Sequence, residues 1–193
     1  MRLKAYSVRG YAIRVWLVLG ALMMSVHSWA HSLPGSQLVL SHQKDQPLIL
    51  TLQFPLEEAI IANPKLTSLN DETVGEAISQ KGAHALGEYL GQHVQLRQGK
   101  NALPMTMTKA SVETGYNAHV GEFKQLNIDY ELPLVREQAL PLLLNYNAIL
   151  HQIRSHKVDV YWQNPGGDKL RLAHFGYHLQ DGKPKSYLLT APQ

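Results

Sequence analysis

Histidine is the residue type with the widest chemical scope in this chain: ten occur among 193 residues, beside no cysteine at all. Imidazole binds borderline metal ions and exchanges protons near neutral pH, so spacing decides what these residues can do. His151 and His156 enclose Gln152 to Ser155. If those four residues form a hairpin loop, the two histidines close it with Cβ atoms about 5 Å apart, near enough to share one ion. The same spacing also fits a simple ring contact at a turn, or two solvated rings. His31 follows Ser28-Trp29-Ala30. Cleavage after Ala30 would free its α-amine, and amine plus Nδ1 form a chelate that a further imidazole turns into a copper-type brace. The expected metal set is therefore His31, His151 and His156, and the expected ion copper or nickel. His174 and His178 have helical spacing, but Gly176 and the flanking alternation predict a strand, where i and i+4 lie roughly 13 Å apart. His84 and His93 read as surface residues on a helix and its exit.

Covalent and nucleotide chemistry find no comparable signal. The chain lacks a Gly-x-Ser-x-Gly elbow, a P-loop, a Gly-x-Gly-x-x-Gly fingerprint and a His-Glu-x-x-His helix. A nucleophile needs an oriented base and an oxyanion site, and no cluster in the sequence proposes all three. Glu57 and Glu58 are adjacent acids in the first turn of an expected helix, where they complement the positive end of its dipole. A non-enzyme is expected.

The elements that must position the histidines begin with an export signal. Arg2, Lys4, Arg9 and Arg14 precede the apolar run from Val15 to Met24, and Ser28-x-Ala30 supplies the small residues at a cleavage site. The run is too short to span a bilayer comfortably, though Trp16 and Trp29 would also suit an uncleaved interfacial anchor. Residues 1–30 are read as a signal peptide and 31–193 as one domain. The four basic residues of that segment account for the net charge of +3: beyond it 14 Lys and Arg face 15 Asp and Glu. A basic footprint for nucleic acid is thus absent from the mature chain. An exported chain without cysteine must draw its stability from an apolar core, a pattern typical of the bacterial periplasm. No later stretch has the roughly 20 apolar residues of a membrane helix.

Within 31–193 the dominant apolar period is two. Leu38 to Leu40 and Leu48 to Phe54 flank the polar Gln43 to Gln46, as in a β-hairpin. Helical patterning follows, first over Pro55 to Ala62 and then from Asn70 to about residue 91. Asn70 or Asp71 is the expected cap of that second helix, and Gly82 its weak point. Strand signals return at Val94 to Arg97, Leu103 to Val112, Ala118 to Phe123, Leu126 to Leu132, Leu140 to Ile149, His156 to Gln163 and Leu170 to Leu179. Ser186 to Thr190 adds an edge strand. Val158, Val160 and Trp162 should face inward. The pattern predicts a mainly β fold, an antiparallel β-sandwich of seven or eight strands with a helical insertion at about 55–91.

The stretches "AHSLPGSQLVLSHQKDQPLILTLQF", "LGEYLGQHVQLRQGKNALPM" and "LLNYNAILHQIRSHKVDVYW" resemble the exported N-terminal domain of the hydrogenase/urease accessory type of membrane protein. The tail "KSYLLTAP" is similar to that of small exported proteins with the same layout. The resemblance implies an exported domain in which His31, Tyr146, His151 and His156 occupy the family's pattern. It does not extend to transport, since the larger members carry membrane segments that this chain lacks after residue 30. Two functions are expected: a periplasmic, non-catalytic accessory that binds copper or nickel through histidines, or a metal-free interaction module that contacts an envelope membrane protein.

Overall fold

The alternation in Leu48 to Phe54 is that of a strand with one face in a core: Leu48, Leu50, Leu52 and Phe54 are buried and the residues between them half-buried. In a computed structural model that describes residues 33–42, 46–134 and 139–191, this strand, β2 (Leu48–Pro55), pairs antiparallel with β1 (Ser36–Ser41). Leu38 faces Leu52 and Leu40 faces Leu50, which realises the predicted hairpin. Residues 43–45 of its turn, like 1–32, lie outside the described residues.

The hairpin sits at the middle of a six-stranded sheet. β5 (Thr106–Asn117) and β6 (Gly121–Leu132) extend it on one side, and β8 (Lys157–Gln163) and β9 (Lys169–Gly176) on the other, in the order β5-β6-β2-β1-β8-β9. A second sheet joins β3 (Val94–Gln98), β4 (Asn101–Ala102), β7 (Leu142–Tyr146) and β12 (Ser186–Leu189) in the order β12-β7-β3-β4. Between them in sequence, β10 (Leu179–Gln180) and β11 (Lys183–Pro184) make a small ribbon. Leu96, Leu142 and Leu144 of the second sheet and Leu50, Val158 and Val160 of the first belong to one continuous apolar core. Phe175 of β9 stacks on Tyr187 of β12 at 3.7 Å and meets Tyr146 of β7 edge-on at 6.3 Å, tying the sheets together. The fold is thus the predicted β-rich, sandwich-like α+β type with helices after the first hairpin, and Val158, Val160 and Trp162 do point inward.

Several features differ from expectation. The sheet is mixed, because β1 and β8 run parallel with Leu38 opposite Val160. β6 is one strand where two were predicted, and β9 ends at Gly176, leaving His178 outside it. The helical insertion has three parts: α1 (Leu56–Ala62), a 3-10 helix (Pro64–Asp71) and α2 (Gln80–His93). The second predicted helix therefore starts ten residues later than Asn70. Gly75 takes φ of +86°, and Val74 and Ala77 form bridges to Val112 and Ser111 of β5, so the intervening chain is held extended. Ser79 is the actual cap. Its Oγ accepts from the Gly82 N–H and donates to Glu72, whose carboxylate also accepts from the Ser79 N–H at 3.0 Å. Gly82 falls in the first turn of α2 and does not divide it, and it marks a close approach: a Cβ there would stand 2.7 Å from Leu69 Cδ2. Among the described residues no helix is long and apolar enough to cross a membrane.

Candidate functional site

β7 and β8 belong to different sheets, so the chain between Tyr146 and Lys157 crosses the sandwich instead of closing a hairpin. This overturns the expected pairing of His151 with His156 across a four-residue loop. The crossing is a series of tight turns, with His151 N–H on the Asn147 carbonyl, Ile153 N–H on Ile149 and His156 N–H on Ile153. Ile149 is buried with φ of +62°, held by a hydrogen bond from its N–H to the Tyr89 hydroxyl at 2.8 Å. The two histidines leave this segment in different company.

His156 points into the protein, 4% exposed. The Ser36 N–H donates to its Nε2 at 3.0 Å, which places the ring proton on Nδ1. Nδ1–H then donates to Oε2 of Glu58 at 2.5 Å. The Ser36 hydroxyl also lies 2.7 Å from Nε2 and donates to it, leaving Oγ to accept from the Tyr146 hydroxyl at 2.8 Å. Ser36 opens β1, Glu58 lies in α1, Tyr146 ends β7 and His156 precedes β8, so one buried network ties four elements at a single point. Each bond contributes about 1 kcal/mol net, and an unmet partner would cost more. Burial pushes the Tyr146 phenol well above its ordinary pKa, offset in part by the bond to Ser36.

Glu58, His156 and Ser36 stand in the order and at the separations of a hydrolase triad. Such a set was not expected from the sequence, and Glu58, read there as a dipole complement, is in fact the partner of a buried imidazole. Two features separate the set from a working nucleophile. Ser36 is 1% exposed within a strand paired on both sides, so a substrate does not reach Oγ in this arrangement. Its own N–H also competes with its hydroxyl for the one lone pair on Nε2. With both nitrogens engaged, His156 offers no free lone pair to a metal ion either.

His151 turns the other way and stacks on His93, the last residue of α2, with ring centroids 4.3 Å apart and planes 8° from parallel. Tyr89, one turn earlier on α2, lies 4.8 Å from His93 and 6.1 Å from His151. Nδ1 of His151 donates to the Asn147 carbonyl at 3.0 Å, which leaves Nε2 as the nitrogen with the lone pair. Burial, and then the neighbouring His151, lower the pKa of His93. The sequence reads His93 as a surface residue, since its place five residues after Glu88 on an amphipathic helix carries no hint of a ring partner 58 positions away. His31, the third expected ligand, lies outside the described residues. Elsewhere His174 bonds Asp159 at 3.0 Å and His84 faces Glu88 at 3.4 Å. Among the described residues no three His, Cys, Asp or Glu side chains gather as a metal site.

Three depressions surround the C-terminal half of α2. One of about 180 Å³ is polar and reaches Asn63, Glu88, Gln92, His93 and His151. A second, about 420 Å³, lies between His93 and the Asn145 to Asn147 stretch. The third, about 340 Å³, is lined by Leu90, Val94, Leu103, Met105, Met107 and Tyr130, beside the bare backbone of Gly87 and Gly91. No protein-family model and no curated protein matches this chain.

Proposed function

We propose that this chain is an exported, non-catalytic accessory protein of the periplasm that contacts an envelope membrane protein through the surface around the C-terminal half of α2. The observation that carries the reading is the apolar depression beside α2. Half-buried Leu103, Met105 and Met107 line it, and Gly91, with nothing within 4 Å of where a Cβ would stand, leaves the helix backbone open there. Methionine side chains adapt to an incoming apolar group at small cost, and the absence of a Cβ at Gly91 lets a partner approach the helix closely. Export is supported by the cationic and apolar pattern of residues 2–24 with Ser28-x-Ala30, and the near-neutral balance beyond it argues against a nucleic-acid partner. A non-catalytic role is supported by the burial of Ser36, the one hydroxyl among the described residues seated on an imidazole beside a carboxylate.

The test is site-specific photo-crosslinking in intact cells. A photoreactive residue at Gly91 is expected to yield a discrete membrane-protein adduct that disappears when Met107→Asp is added. The same probe at Thr114, on the far end of β5, should yield none. Equal adducts from both positions, or none from Gly91, would overturn the assignment of this face.

A further inference from the structure

We propose that His93 and His151 form a two-imidazole half-site for a divalent transition-metal ion, Cu(II) by preference, with water filling the remaining coordination positions. The pair differs from the set expected from the sequence, and it is independent of the partner-binding reading above. Two nitrogens bound to one ion at about 2.0 Å each lie roughly 3 to 4 Å apart, close to the separation of the stacked rings. In-plane lone pairs on parallel rings do not yet converge, so one ring must swing. His93 is free to do so, because neither of its ring nitrogens has a hydrogen-bond partner among the described residues, whereas the Asn147 carbonyl anchors His151.

That anchor is itself the arrangement a metal-binding histidine requires. A carbonyl that takes the Nδ1 proton fixes the tautomer and aims the Nε2 lone pair outward. The depression in front of the rings, about 180 Å³ and polar, has room for an ion and several waters. Its two charged lining residues, Glu88 and Lys65, are of opposite sign, so the imidazoles and not a carboxylate cluster select the ion. His93 also ends α2, where the negative end of the helix dipole favours a cation. Nitrogen donors of this kind rank Cu(II) above Ni(II) and Zn(II), and two of them leave the site open to exchange.

Titration with Cu(II), followed by electron paramagnetic resonance, tests the site on a chain that starts at position 31 with His31→Ala and an acetylated amino terminus, so that an amine chelate cannot compete. One Cu(II) with superhyperfine coupling to two imidazole nitrogens is expected. His93→Ala and His151→Ala should each weaken binding by about tenfold or more and reduce the coupling to one nitrogen. His84→Ala, on an exposed turn of the same helix, should leave both unchanged. Thermal melting without metal shows whether each variant is folded, and His93→Gln replaces any that is not. Unchanged affinity and coupling in the two stack variants would overturn the proposal, as would equal losses in all three.

Discussion

Glu58 and His156, 98 residues apart in sequence, are joined by a buried hydrogen bond of 2.5 Å between Oε2 and Nδ1. The bond fixes α1 to the start of β8, and through the other face of the same imidazole it reaches Ser36 and Tyr146.

Removing the carboxylate should therefore cost more than one ordinary hydrogen bond. Glu58→Ala leaves a buried N–H unmet and opens space beside it, so a loss of about 3 kcal/mol is expected. Glu58→Gln keeps an acceptor in place and should cost clearly less. Urea unfolding with an unchanged slope measures both. Equal losses for the two variants would show that shape, and not the hydrogen bond, matters at this point.

How much of this was legible depends on how far apart the partners lie. The β1–β2 hairpin, the α1 segment and the inward face of β8 follow from apolar periods within a dozen residues, and they stand where those periods placed them. The start of α2 is not legible because Val74 and Ile78 have helical spacing. The contacts that hold that stretch extended come instead from β5, more than thirty residues downstream. The His151–His156 pairing failed on topology: local spacing allows a hairpin, but the partners of β7 are β3 and β12 while those of β8 are β1 and β9. Neither the Ser36–His156–Glu58 network nor the His93–His151 stack has a local signal, since each is assembled by chain crossings that a single sequence does not encode in its spacing.

β8 offers a direct check on the core. Val160 is fully buried opposite Leu38 on one side and Ala173 on the other. Val160→Asp places a carboxylate where no partner can reach it, and a loss of about 4 kcal/mol or more is expected, enough to unfold a marginal domain. Tyr161→Ser, at the half-exposed neighbouring position, should cost much less. Comparable losses at the two sites would mean that the inward face has been assigned to the wrong residues.

Two glycines of α2 should respond oppositely to the same substitution. Gly91→Ala meets nothing within 4 Å and removes backbone entropy from the unfolded chain, so stabilisation of about 0.5–1 kcal/mol is expected. Gly82→Ala would bring its Cβ to 2.7 Å from Leu69 Cδ2 and 2.9 Å from Glu72 Oε1, against a side chain that is itself fully buried. The strain of about 1–3 kcal/mol outweighs the gain in helix propensity, and the variant should be less stable than the parent. Melting temperatures of the pair decide the matter; a rise in both would remove the close approach at Gly82 from the account of α2.

The aromatic cluster at the end of α2 should make stability fall at both extremes of pH, for opposite reasons. Burial, reinforced by His151, lowers the pKa of His93 in the folded protein, so the unfolded chain takes up the proton first, near pH 6.5. The contribution of His93 is then fully present above about pH 6.5 and is lost as pH falls from there through the folded value. Tyr89 behaves in the reverse sense. Burial raises its phenol to about 12, a shift that the bond from the Ile149 N–H only partly offsets. Its contribution is full below about pH 10, where the unfolded phenol titrates, and is lost as pH rises through about 12. Urea midpoints collected across both ranges should show His93→Gln flattening the acid limb while leaving the alkaline one intact. Tyr89→Phe should make the alkaline limb less steep, with buried Tyr130 and Tyr146 supplying what remains, and lower stability at neutral pH by about 1 kcal/mol, because the Ile149 N–H loses its acceptor. Limbs that keep their wild-type slopes in both variants would show that these two residues do not set the pH dependence.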